Sequence, residues 1–163
     1  MVKLVSIDSS TNYTGMAFFE NGKYVRHILI DQHIYKDVDR RIDEMIRGIA
    51  EELQKFKPDI VYIEQPKGSG GNVEMVRKLS EILGAVRLWC VWKGKDYHEI
   101  MPSVWRKNLH GFSQGGKSRC ELKQEAIDYV KRIIGIDCDT DSADAICIGL
   151  SVIDYFKECE EQI

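Results

Sequence analysis

Lys3-Leu-Val-Ser-Ile-Asp8, Thr14-Gly-Met-Ala-Phe-Phe-Glu20 and Lys23-Tyr-Val-Arg-His-Ile-Leu-Ile30 follow one another with only short polar breaks, and this opening stretch decides the fold. Each run has strand length and apolar, often β-branched or aromatic, content. Asn21-Gly22 between the second and third is a strong hairpin signal, because both positions of such a turn need positive φ. Three consecutive antiparallel strands are therefore expected. Downstream the period changes: Val38, Ile42, Met45, Ile46, Ile49, Leu53 and Phe56 recur at three and four residues, one face of an amphipathic helix over about 36–56 that Lys57-Pro58 ends. Asp59-Ile-Val-Tyr-Ile-Glu64 then reads as a short buried strand. A glycine-rich loop over 66–72 leads into a second helix carrying Leu79, Ile82, Leu83, Val86 and Trp89, and 97–101 suggests a fifth strand. Pro102 suits the first turn of a short helix, 111–116 reads as a loop, and helices over 117–134 and about 140–157 close the chain. This order predicts an α/β fold: a five-stranded mixed sheet, three strands antiparallel and then two parallel, flanked by helices.

At 163 residues and 44% hydrophobic content the chain can bury one core, so a single domain over 1–163 is expected. No apolar run approaches the roughly 18 to 20 residues of a membrane span, and Met1-Val-Lys-Leu-Val-Ser-Ile reads as a strand rather than a signal peptide, which points to the cytoplasm and away from membranes. The five cysteines, Cys90, Cys120, Cys138, Cys147 and Cys159, form no C-x-x-C pair, so they read as reduced structural thiols. Net charge is −3, but residues 65–119 hold ten bases against four acids. A basic segment inside an acidic chain is either the footprint of a polyanion or a solvated mixed face.

Four acids stand out. Asp8 ends the first strand and Glu64 ends the next buried one, positions that turn-capping or solvated carboxylates also occupy. Asp141-Ser-Ala-Asp144 places two aspartates on one face at a helix start, where capping alone is a sufficient reason for one or both. Capping leaves Asp8 and Glu64 unexplained. Strand ends and a helix start can converge at one edge of an α/β sheet, and several ionised carboxylates crowd together only around a cation. Hard divalent ions such as Mg2+ or Mn2+ prefer oxygen donors, and a pair of them can activate water against a phosphodiester.

Ile7-Asp8-Ser-Ser-Thr-Asn-Tyr-Thr-Gly15, Val61-Tyr-Ile-Glu64-Gln65 and Asp141-Ser-Ala-Asp144-Ala145 resemble, in order and spacing, the RuvC Holliday junction resolvases of the ribonuclease H-like superfamily. The resemblance spans almost the whole chain and is strongest to short, divergent phage-type members. It implies a metal-dependent endonuclease that cleaves branched DNA, with Asp8, Glu64, Asp141 and Asp144 as catalytic metal ligands, two Mg2+ or Mn2+ ions per site, and a homodimer that cuts opposing strands of a four-way junction. Three-way and flap DNA are further candidate substrates. The family's phosphate-supporting lysines map here to Lys107 and Lys117, while Lys67, Arg106 and Arg119 are further candidates for DNA contact. Solvated surface cations are the plain alternative for each. One departure is visible: the loop after Glu64, Gln65-Pro-Lys-Gly-Ser-Gly-Gly-Asn72, lacks the aromatic that bacterial resolvases often place there to probe the junction.

Other readings compete less well. Gly111-Phe-Ser-Gln-Gly-Gly116-Lys117-Ser118 satisfies the phosphate-loop pattern, but the preceding segment begins with Pro102 and reads as a short helix rather than a buried strand, which argues against nucleotide binding at this loop. Asp8 to Gly15 also looks like the first phosphate motif of the actin and sugar-kinase superfamily, whose nucleotide lies between two such domains; this chain has length for one. The YqgF-like branch of the nuclease fold shares the first aspartate and a later glutamate, whereas the Asp141/Asp144 pair favours RuvC. A junction-binding or assembly module without chemistry is the non-enzymatic alternative. His27, His33, His98 and His110 show no metal-ligand spacing. Trp89, Trp92 and Trp105 read first as helix packing, with Trp105, beside Arg106 and Lys107, the one to consider near DNA.

Overall fold

The computed structural model describes residues 1–66, 73–112 and 116–160, with 154–160 by backbone alone. Strands β1 (Lys3–Ser9), β2 (Tyr13–Glu20) and β3 (Lys23–Asp31) are followed by α1 (Val38–Phe56), β4 (Ile60–Glu64), α2 (Val73–Lys93), β5 (Asp96–Ile100), α3 (Pro102–Asn108), α4 (Arg119–Ile134) and α5 (Thr140–Glu160). The sheet order is β3-β2-β1-β4-β5, with β1, β2 and β3 mutually antiparallel and β4 parallel to both β1 and β5. This is the mixed sheet that the strand order predicts. Asn21 and Gly22 turn the β2–β3 hairpin with φ of 50° and 72°.

Helix boundaries follow their local chemistry. Asp37 caps α1 by accepting the Arg40 amide at 2.8 Å, and Lys57, in a left-handed conformation, ends it before Pro58. At α4 the expected start shifts from Lys117 to Arg119, because Ser118 and Glu121 form a reciprocal capping box that fixes the first turn. Gly135, at φ 83°, closes that helix.

Strand alternation sends side chains to two cores. Val5, Ile7, Met16, Phe18, Val61 and Ile63 pack on one face against Ile42, Met45, Ile49 and Leu53 of α1 and Ile82 and Val86 of α2. On the other face Leu4, Ala17 and Phe19 meet Ala143, Ala145, Ile146 and Ile148 of α5, with Trp105 of α3 and Ala126, Tyr129 and Val130 of α4 behind. Helix α5 is apolar on nearly all sides around its middle, as a helix wedged between a sheet and other helices must be.

It also lies unusually close to the sheet. A Cβ at Gly15 would fall 2.1 Å from the Asp141 carbonyl oxygen, and one at Gly149 would fall 2.2 Å from the Phe19 ring. Ser6, buried between Leu4 and Asp8, donates its hydroxyl to the Ala145 carbonyl at 2.6 Å. Small residues on both partners thus bring the start of α5 against the carboxyl end of β1.

Candidate active site

Asp8 and Glu64 come from neighbouring parallel strands. The β1–β4 register pairs Ser6 with Tyr62 and Ile7 with Ile63, so the two acids are level one step later. Ser6 and Tyr62, two residues earlier on each strand, face the α5 side, and alternation puts Asp8 and Glu64 on that side too. Glu64 is held from α3: the buried Trp105 indole N–H donates to its Oε2 at 2.6 Å.

The start of α5 supplies the other two acids, and here capping falls to a neighbour. Asp139 Oδ1 accepts the amides of Asp141 at 3.0 Å and Ser142 at 2.8 Å, and its Oδ2 accepts the Ser142 hydroxyl at 2.6 Å. With Asp139 as the cap, helix initiation requires neither Asp141 nor Asp144. Asp144 is buried at 6% exposure, and its Oδ1 finds no hydrogen-bond partner among the described residues.

Electrostatics tie the four together. Burial pushes the Asp8 carboxyl well above the usual carboxylate range, and Glu64, Asp144 and Asp141 push it further, with Lys123 opposing. Asp144 is raised to about 7, by burial first and then by Glu64, with Arg106 and Lys123 opposing and Asp141 adding to the rise. Like charges in one low-dielectric site disfavour joint ionisation, so the cluster calls for a cation. An all-oxygen donor set with an orphaned buried oxygen fits a hard divalent ion. Among the described residues no three His, Cys, Asp or Glu side chains stand in a closed metal cage, so the fit lies in donor chemistry and charge.

The basic residues divide. Arg106, partly buried, acts on Asp144, and Lys123, which the sequence did not single out, lies with Nζ 3.4 Å from Asp141 Oδ1 and 3.4 Å from Thr140 Oγ1. Lys107 and Arg119 are exposed, and neither is among the leading charges that shift Asp8 or Asp144. Lys117 pairs with Glu125 Oε1 at 3.0 Å and lines an open cleft of about 410 Å³ along α4, with Glu121, Asp128 and Arg132 among its walls; none of the four acids lines it. Lys67 lies outside the described residues, as does most of the loop after Glu64. Helix α3, rather than a strand, precedes the phosphate-loop-like segment, of which 113–115 are also outside the described residues. Trp105 is fully buried, and His98 stacks on Tyr62 at 4.8 Å.

Comparison with known proteins agrees with this architecture. The family model "Crossover junction endodeoxyribonuclease RuvC" matches residues 4–152. Among curated relatives, the RuvC of Thermomicrobium roseum is 21% identical, covering 98% of this chain and 97% of its own, and that of Geotalea uraniireducens is 25% identical over 91% and 86%. Two solved structures share the ribonuclease H-like fold. Thermus thermophilus RuvC in complex with a Holliday junction substrate has a TM-score of 0.76 at 18% identity, covering 97% of this chain and 96% of that one. The Fowlpox virus resolvase with Holliday junction DNA has a TM-score of 0.67 at 17% identity, over 95% and 99%. With a family match that runs from β1 into α5 and so takes in all four acids, the chain belongs to the RuvC family of crossover junction endodeoxyribonucleases.

Proposed function

We propose that this chain, a junction-resolving endonuclease by family, hydrolyses phosphodiesters of branched DNA at Asp8, Glu64, Asp141 and Asp144 with two Mg2+ or Mn2+ ions per site. The observation that carries the reading is the partnerless, buried Oδ1 of Asp144 in the joint field of Glu64, Asp8 and Asp141. Divalent ions bound there supply Lewis acidity to the phosphate and activation to the attacking water.

The chain's own groups do the rest. Asp8 and Glu64, on rigid strand ends, fix the floor of the site, and Asp141 and Asp144 close it from the first turn of α5. Lys123 and Arg106 set positive charge at the margin, where they offset the phosphate charge that grows as water adds to phosphorus. The P–O3′ bond breaks, the leaving oxygen takes up a proton, and the products are a 5′-phosphate and a 3′-hydroxyl. Lys107, Lys117, Arg119 and Lys67 serve as outer phosphate contacts that add affinity without sequence choice.

Four-way junctions are the substrate this reading favours, because the two structural neighbours described above were both solved with Holliday junction DNA. The reading includes a cytoplasmic, single-domain homodimer; separately, among the described residues no helix is long and apolar enough to cross a membrane.

The test is cleavage of labelled four-way, three-way, flap and linear DNA with Mg2+, Mn2+ or EDTA, for wild type and Asp8→Asn. Branched forms are cut, EDTA abolishes cutting, and Asp8→Asn slows it on the order of 10²- to 10³-fold. Tight junction binding without cutting would instead make the chain a binding module.

A further inference from the structure

We propose that Trp105 is a positioning residue for this site: its indole edge holds Glu64 and its ring face carries Arg106. The inference rests on the proposed role of Glu64 as a metal ligand. Trp105 is among the largest fully buried side chains, and Phe112, edge-on at 5.6 Å, and Tyr129 behind Phe112 fix its ring. Its Nε1–H points at Glu64 Oε2 from 2.6 Å, while the Arg106 guanidinium lies 4.5 Å from its ring centroid.

The two contacts use opposite parts of one quadrupole. The N–H edge of an indole is electropositive and suits a carboxylate; the π face is electronegative and suits a guanidinium. One rigid side chain in the α3–α5 core therefore sets an anion and a cation of the same site. The choice of indole is chemically apt, since it donates one hydrogen bond and does not ionise near neutrality. A lysine in its place would hold Glu64 equally well but would neutralise it and compete with the metal. Trp105 fixes the carboxylate and leaves its charge available. Arg106, resting on the ring, is one of the two cations whose field reaches Asp144.

A buried tryptophan that merely needs an acceptor would give the same picture, so the test separates positioning from packing. Trp105→Phe keeps the ring face and removes the donor; Trp105→Leu removes both. Mn2+ affinity is measured by calorimetry on the whole protein, beside the metal-activation midpoint and KM for four-way junction DNA. Trp105→Phe weakens Mn2+ binding and shifts the activation midpoint by about tenfold, with KM changed less than twofold, the loss of one hydrogen bond to a charged group. Trp105→Leu adds a rise in KM. Wild-type Mn2+ affinity in folded Trp105→Phe overturns the proposal.

Should Trp105→Phe fail to fold, Trp89→Phe/Trp92→Phe leaves Trp105 as the sole tryptophan emitter. Saturating Mg2+ shifts its emission if the indole and the metal share Glu64; an unchanged spectrum overturns the proposal. A wild type that neither binds metal nor cuts DNA would sink the nuclease reading itself. A wild type that does both, beside an indifferent Trp105→Phe, sinks only the role of Trp105.

Discussion

The two faces of the sheet are built from the same strands to different ends. Towards α1 and α2 the strands present Val5, Ile7, Val61 and Ile63, all fully buried and all hydrocarbon. Towards α5 the alternate positions of β1 are Leu4, Ser6 and Asp8, and those of β4 are Tyr62 and Glu64. The first face is a stability surface. The second gives up hydrocarbon for small and polar groups, which lets α5 approach closely and gathers acids at the strand ends. A cluster in which burial and mutual repulsion oppose ionisation costs stability, and the apolar cores on both faces of the sheet offset it.

The contrast breaks most visibly through the apolar face. Ile63→Ala creates a cavity one residue from Glu64 and should cost about 2–5 kcal/mol in denaturant unfolding. Per folded molecule, cleavage should stay within a few-fold of wild type; a loss as deep as that of Asp8→Asn would show that the two faces are not separable.

A smaller effect of opposite sign is expected on the other face. Burial and then Glu64 raise the Asp144 carboxyl to about 7, well above the ordinary aspartate range. A pKa raised by folding means that stability from this group is fully present below the unfolded value and is lost as pH rises through the folded one. Asp144→Asn should therefore stabilise the metal-free protein at pH 8 by on the order of 2 kcal/mol, with the gain closing towards pH 4. Added Mg2+ should raise the melting temperature of wild type more than that of the variant. A lower melting temperature for Asp144→Asn at pH 8 would instead mark Asp144 as structural.

The smallest effect sharpens the division within the helix start. Asp139→Ala removes the cap of α5 and should cost about 1 kcal/mol in thermal unfolding at pH 7, where Asp144→Asn stabilises.

Much of this was legible in the sequence, for local reasons. Periods of two and three to four residues report strands and helices, and Asn21-Gly22 reports its own turn, so the strand order and hence the mixed sheet could be read directly. Asp8 and Glu64 stood out as carboxylates at the ends of apolar strands, whereas Asp141 and Asp144, at a helix start that capping alone could explain, were singled out by the order and spacing of the family resemblance. Which aspartate caps α5 was not: Asp137, Asp139 and Asp141 alternate, and a shift of one or two residues in the helix start reassigns the role. Lys123 was hidden for a related reason. Helix α4 carries Arg119, Lys123, Lys131 and Arg132, and only the packing of Ala126, Tyr129 and Val130 against α5 decides which cation faces Asp141. Lys117, the expected neighbour of the acids, lies before that helix and pairs with Glu125. The Trp105–Glu64 bond joins residues 41 positions apart and leaves no local trace.

The hydrogen bond from Ser6 to Ala145 spans 139 positions of sequence and marks where β1 and α5 meet. Its consequence lies in the order of synthesis. As the chain emerges, Asp8 is made early, Glu64 midway and Asp141 and Asp144 late, so no nascent or prematurely ended chain without α5 contains all four acids. The proposed site can therefore form only once α5 has been made and has docked on the sheet, where Ser6 meets Ala145.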